Sequence, residues 1–118
     1  GAWTLGDASG GVSFAQEDGY YIKIGRQVHA YAFVNFPTTS HSGVVQINGL
    51  PFALANEDSV RGGGSISFQD ASAANNITAN AIKNTQQIEF FGSTGANFTN
   101  SNFSAKSIYF AIHYYTAA

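Results

Sequence analysis

Apolar and polar residues alternate with a period of two along most of this chain, and that is the period of a β-strand rather than of a helix. Strand-like stretches occupy residues 12–16, 20–24, 27–36, 44–47, 64–69, 77–82, 86–91 and 104–115. Asp18-Gly19 and Asn48-Gly49 are typical of tight turns, because their residues tolerate positive φ. Only residues 70–76, which are rich in Ala, indicate a single helical turn. We therefore expect an all-β chain of about eight strands that forms an antiparallel β-sandwich of the jelly-roll type.

Two of the longest predicted strands lack a polar face. The stretches 28–36 and 108–115 each place small and apolar residues on one face. Their opposite faces carry mainly aromatic residues and histidines, namely His29, Tyr31, Phe33, Tyr109, His113 and Tyr115. Because no helix is predicted to cover a second face, this surface requires a partner. We expect a homo-oligomer interface there, and the alternative is a ligand groove lined by His29, Tyr31, Tyr109 and Tyr115.

The composition limits the classes of function. A chain of 118 residues with 44% hydrophobic content is expected to form one globular domain, residues 1–118. Only 10% of the residues are charged and the five Lys and Arg residues form no cluster, so nucleic acid is not an expected partner. No apolar run reaches the roughly 18–20 residues of a membrane-spanning helix, so no membrane insertion is expected. The absence of methionine, even at position 1, predicts a piece of a longer polypeptide.

Several motifs give the first half of the chain a resemblance to a known module. The segment Tyr20–Val28 contains the pattern Y-x-K-I-G. A second long strand follows it, and the G-L-P-F turn at Gly49–Phe52 comes after that strand. The chain opens with Gly1-Ala2-Trp3-Thr4-Leu5, close to a G-x-W-x-P start, and continues with a predicted strand at 10–14. These features resemble the small β-sandwich near the C-terminus of bacteriophage tail fibre and tailspike proteins. Leu5 stands where that family usually has proline.

The resemblance implies an obligate homotrimer, the C-terminal fragment of a longer tail protein, that is carried on the virion and works outside the cell. Its roles would be to hold three chains in register and to bind a bacterial surface receptor, most simply a glycan. The candidate receptor contacts, chosen for position and hydrogen-bonding capacity, are Trp3, His41, Asn56, Asp58, Arg61, Asn97 and Asn100. Trp3 is either a platform for a sugar ring or an anchor in the core or interface. The alternatives are a structural trimerisation or capping module without ligand, and a carbohydrate-binding module of a hydrolase.

No arrangement of residues in the sequence predicts catalysis. The acids Glu17-Asp18 and Glu57-Asp58 are adjacent and lie at predicted turns, whereas a glycosidase needs two facing carboxylates. No pair of the three histidines has the sequence spacing of a metal site, although a histidine near a three-fold axis would be supplied three times. The chain has no G-x-S-x-G motif, and the glycines at 62–64 lack the lysine of a phosphate-binding loop. We therefore expect no enzyme activity, no cofactor and no metal.

Overall fold

The computed structural model describes residues 1–57, 62–70, 77–92 and 97–117. These residues form β1 (Gly6–Asp7), β2 (Gln16–Ile24), β3 (Gln27–Asn35), β4 (Gln46–Asn48), β5 (Gly63–Gln69), β6 (Thr78–Ala81), β7 (Ile88–Phe91), a 3₁₀ helix (Asn100–Phe103) and β8 (Ser107–Tyr115). The strands make one antiparallel sheet in the order β1-β4-β7-β6-β5-β8-β3-β2. The predicted all-β, antiparallel architecture is confirmed, and no helix within the described residues is long and apolar enough to span a membrane.

The sheet curls over one core in the manner of half a barrel. Phe90 of β7 packs edge-on against Phe110 of β8, with ring centroids 5.3 Å apart, although β6 and β5 separate these strands within the sheet. The 3₁₀ helix inserts Phe103 beside them, where it stacks on Phe36 at 5.2 Å. The inward faces of β3 and β8 supply the buried residues Val28, Ala30, Ala32, Val34, Ile108, Phe110, Ile112 and Tyr114. One side of these two strands is therefore fully used by the core.

The N-terminal segment, residues 1–7, links the two edges of the sheet. The Trp3 N–H donates to the Gly19 carbonyl at 3.0 Å, and the Tyr21 N–H donates to the Gly1 carbonyl at 2.7 Å, which covers the outer edge of β2. A few residues later, β1 pairs with β4 at the opposite edge. The indole of Trp3 is buried and its Nε1–H donates to the Tyr31 carbonyl at 3.2 Å. The segment therefore protects both edges, which would otherwise expose unpaired backbone groups.

The predicted hairpin turn at Asp18-Gly19 is wrong. Both residues lie inside β2 and pair with β3. The connection between the two strands is instead Gly25-Arg26, and Gly25 has a φ of +61°, which suits the first position of a type II′ turn. Gly19 is needed for a different reason, because a Cβ there would lie 2.6 Å from the Trp3 carbonyl oxygen where the N-terminal segment crosses β2.

The predicted strand at residues 10–14 is also wrong, because the Asp7 carboxylate holds this stretch as a loop. It accepts hydrogen bonds from the backbone N–H groups of Ser9, Gly10, Gly11 and Val12, all at about 3 Å. The remaining predicted strands are confirmed as β2, β3, β4, β5, β6, β7 and β8, with bounds that differ by a few residues. Most of the helical turn predicted at 70–76 lies outside the described residues.

Candidate functional site

The side of β2, β3, β8 and β5 that faces away from the core is apolar and aromatic. Residues that pair directly in an antiparallel sheet point to the same side, so the register places Tyr20 beside Tyr31, Ile22 beside His29, and Phe33 beside Tyr109. We call this surface the outer aromatic face, and define it by Tyr20, Ile22, Ile24, His29, Tyr31, Phe33, Phe68, Tyr109, His113 and Tyr115. It includes every residue that the sequence predicted for an oligomer interface.

The outer aromatic face is open to solvent within the described chain. Ile24 is 71% exposed, Tyr20 56%, Phe68 53% and Tyr31 47%, and a contiguous exposed apolar patch of this kind marks an interaction surface. The alternation of β3 and β8 predicted the part of this surface that those strands contribute, but Tyr20, Ile22 and Ile24 of β2 and Phe68 of β5 were not predicted for it. A bulge between Ile66 and Phe68 shifts the register of β5 on β8. That shift directs Phe68 outward, where its ring meets the edge of Tyr109 at 5.8 Å.

A hollow of about 200 Å³ lies within this face, between β2 and β3. Its walls are Asp18, Tyr20, Tyr31 and Phe33, and its floor is the backbone at Gly19 and Ala32, which face the core. No hydrogen bond of the Asp18 carboxylate to another described residue is found. Aromatic walls with one free carboxylate are suited to a small polar ligand that has an apolar face, such as a sugar ring.

The two predicted contact residues His41 and Asn100 meet in a second cluster at the loops. Asn100 is fully buried, and its Nδ2 donates to the Ser9 Oγ at 2.9 Å and to the His41 Nδ1 at 3.0 Å. The Gly43 N–H also donates to the His41 Nδ1, at 3.3 Å. The Oδ1 of Asn100 is buried and has no hydrogen-bond partner among the described residues. The cluster therefore joins the loops of Ser9 and His41 to the start of the 3₁₀ helix at Asn100.

Asp7 supports this cluster, since its carboxylate accepts the hydroxyl hydrogen of Ser9. Burial opposes ionisation of Asp7, but the Ser9 hydroxyl and the backbone N–H groups of Val12, Ser9 and Gly11 outweigh it and lower the pKa of this carboxyl. The arrangement does not activate a nucleophile, because the Ser9 hydroxyl donates to Asp7 and the His41 Nδ1 already accepts two hydrogen bonds. We interpret it as a structural network.

The other predicted contact residues that the structure describes, Trp3, Asn56 and Asn97, do not form one site. Trp3 is buried, so its ring is a core anchor and is not available to stack on a sugar. Asn56 is exposed, and Asn97 is exposed and bridges to Phe91. Asp58 and Arg61 lie outside the described residues. Of the five predicted contacts that lie in the described part of the chain, only His41 and Asn100 meet.

The two motifs that carry the family resemblance contact each other. The rings of Tyr21 and Phe52 meet edge-on, with centroids 5.5 Å apart. The Lys23 Nζ lies 5.3 Å from the centroid of the Phe52 ring. The Tyr114 hydroxyl fixes Phe52 from the core side, accepting from its N–H at 3.2 Å and donating to its carbonyl at 2.9 Å. The Y-x-K-I-G strand and the G-L-P-F turn therefore form one packing unit.

No family model, no curated protein and no solved structure matches this chain. Among the residues that the structure describes, no group of three or more His, Cys, Asp or Glu side chains converges. Among the described residues, the outer aromatic face is therefore the best candidate for a functional surface.

Proposed function

We propose that this chain is a self-associating module and that copies of it pack together through the outer aromatic face. The observation that carries the proposal is the exposure of Ile24, Tyr20, Tyr31 and Phe68 on one continuous surface of four strands. Aromatic residues are enriched at protein interfaces, and such residues would be unfavourable on a surface permanently exposed to water. The low charge of the chain, with a formal net charge of −2, gives little repulsion between copies.

The resemblance of the Y-x-K-I-G and G-L-P-F motifs gives this association a biological setting. We propose a homotrimer at the distal end of a phage tail fibre or tailspike, in which the curled sheet is a variant of the jelly-roll sandwich. The module would be non-enzymatic, and it would present its loops, among them those of His41, Asn56 and Asn97, to a receptor on the bacterial surface. Each contact can be weak, because three copies on one tip raise the effective concentration after the first contact forms.

Light scattering of the purified chain at micromolar concentration tests the association. We expect about three times the 12.5 kDa mass of one chain. The double variant Ile24→Thr, Tyr31→Thr removes apolar area from the outer aromatic face and should shift the mass towards one chain. Val44→Thr is the matched control, because Val44 is 36% exposed and lies outside that face. A monomeric wild type would overturn the proposal.

A second candidate function is glycan binding by a monomer, and the hollow at Asp18, Tyr20, Tyr31 and Phe33 is the observation that favours it. Tyr31→Ala and Asp18→Asn should then each weaken binding of host-surface polysaccharide, with Val44→Thr unchanged. If the variants bind polysaccharide as the wild type does, the hollow is not a sugar site. A turnover assay on the same polysaccharide separates a binding module from a hydrolase.

A further inference from the structure

We infer that His29 and His113 form a two-histidine site for a divalent transition-metal ion such as Zn²⁺, Ni²⁺ or Cu²⁺. The two residues are 84 positions apart in the chain, so sequence spacing gave no sign of a pair. The register of β3 on β8 makes them direct partners on the outer aromatic face. Their rings lie side by side, with centroids 6.2 Å apart and planes inclined by 32°.

This geometry is close to that of a chelating pair. Metal–nitrogen bonds of about 2.0–2.1 Å at a tetrahedral angle require the two ligand nitrogens to be roughly 3.3 Å apart. Rotation of the two side chains can turn one nitrogen of each ring towards the other across the 6.2 Å between the centroids, which brings the two nitrogens close to that separation. Direct cross-strand neighbours have Cβ atoms about 4.5–5.5 Å apart, and therefore the backbone does not have to move.

Both imidazoles are free to bind. His113 is exposed and His29 is half-buried, and neither side chain makes a hydrogen bond to another described residue. In the neighbouring strands, His29 pairs with Ile22, and His113 pairs with Gly63, which has no side chain. The pair therefore has no bound carboxylate or backbone group to displace, and imidazole nitrogen is a preferred ligand of Zn²⁺, Ni²⁺ and Cu²⁺.

One chain fills only part of a tetrahedral coordination shell. Among the described residues no third His, Cys, Asp or Glu side chain joins the pair, so water completes the shell in a single copy. In an assembly of the kind proposed above, on which this part of the inference rests, histidines of a second copy replace the water when copies associate through the outer aromatic face. Metal would then strengthen association as well as bind to the single chain.

The test is calorimetric titration of the metal-free protein with Zn²⁺ and Ni²⁺, together with NMR of the histidine rings. We expect saturable binding and shifted ring signals for His29 and His113 but not for His41. Either His29→Gln or His113→Gln should weaken binding about a hundredfold, because the second imidazole acts at high effective concentration. His41→Gln is the control and should bind as the wild type does.

Light scattering with and without metal separates this inference from the proposed function. Binding that needs both histidines supports the site, whether or not the mass changes. A mass of three chains with no metal binding, or with binding that survives the double variant His29→Gln, His113→Gln, overturns the site and leaves the association intact. Binding by a chain that stays monomeric at all concentrations supports the site and overturns the association.

Discussion

At the scale of single residues, the Tyr114 hydroxyl helps to hold the G-L-P-F turn, because it forms hydrogen bonds with both backbone groups of Phe52. Burial raises the pKa of Tyr114 to about 12, against the smaller opposing effect of the Phe52 hydrogen bond. The folded-state pKa exceeds the ordinary value of 10.0, so the neutral Tyr114 hydroxyl contributes its full share to the free energy of unfolding below pH 10. That share is lost as the pH rises towards 12, because the hydroxyl ionises more readily in the unfolded chain. The loss should be on the order of 2 kcal/mol.

Tyr114→Phe tests this contact. It leaves the Phe52 N–H and carbonyl without their partner and should lower the free energy of unfolding at pH 7 by about 1–2 kcal/mol. It should also remove the additional loss of stability between pH 10 and pH 12. Urea denaturation at pH 7, 10 and 11.5 measures both effects. Tyr20→Phe, at an exposed position, should behave as the wild type; an unchanged pH profile in Tyr114→Phe would contradict the assignment.

The negative charge of Asp7 stabilises the fold, since four backbone N–H groups and one hydroxyl donate to its carboxylate. Its lowered pKa means that the stabilisation is present above the ordinary value of 3.8 and is lost as the pH falls through the lower, folded-state value. Asp7→Asn should cost about 1–3 kcal/mol at pH 7 and flatten the acid dependence. Denaturation at pH 7 and pH 3 measures this, with Asp18→Asn as the exposed control. Equal stability of the two variants would be incompatible with this role.

At the scale of elements, the pairing of β5 with β8 depends on one glycine and not on its neighbour. A Cβ at Gly64 would lie 1.9 Å from the Ala111 carbonyl oxygen, whereas a Cβ at Gly63 would meet nothing within 4 Å. Gly64→Ala should therefore lower the free energy of unfolding by about 1–3 kcal/mol, and Gly63→Ala should change it by less than about 0.5 kcal/mol. Thermal unfolding of the two variants compares them directly. Similar melting temperatures would show that the strands do not approach as closely as described.

Some elements of the fold could be predicted from the sequence alone, and others could not. β3 and β8 were predictable because each long strand buries one face completely, and a shift of one residue would expose the whole apolar set. The Asp18-Gly19 turn was mispredicted because glycine serves two purposes, positive φ and close approach, and only the crossing of Trp3 shows which applies. The outward-facing histidines and aromatic residues of β3 and β8 were found by alternation. Their assembly into one face, and the His29–His113 pair, depend on which strands become neighbours, and alternation within a strand does not specify that.

At the scale of the whole molecule, the N-terminal segment joins the two edges of the sheet. β1 and β2 are the two edge strands of the sheet, and the short segment of residues 1–7 contains β1 and contacts β2. Trp3 holds that run in place, because its indole is buried and donates to the Tyr31 carbonyl. The Leu5 N–H adds a bond to the Glu17 carboxylate at 3.1 Å. The two edges of the curled sheet are therefore linked by a segment outside the long strands.

Trp3→Ala should consequently do more than remove apolar area. We expect a loss of about 3–5 kcal/mol in the free energy of unfolding, and faster hydrogen exchange at the Tyr21 amide, which bonds to the Gly1 carbonyl across the β2 edge. Trp3→Phe is the matched control: it keeps an aromatic ring in the core but loses the bond to Tyr31, so most of the Tyr21 protection should remain. If Trp3→Ala leaves that amide as protected as in the wild type, the edge is held by backbone pairing alone, and Trp3 contributes only its burial.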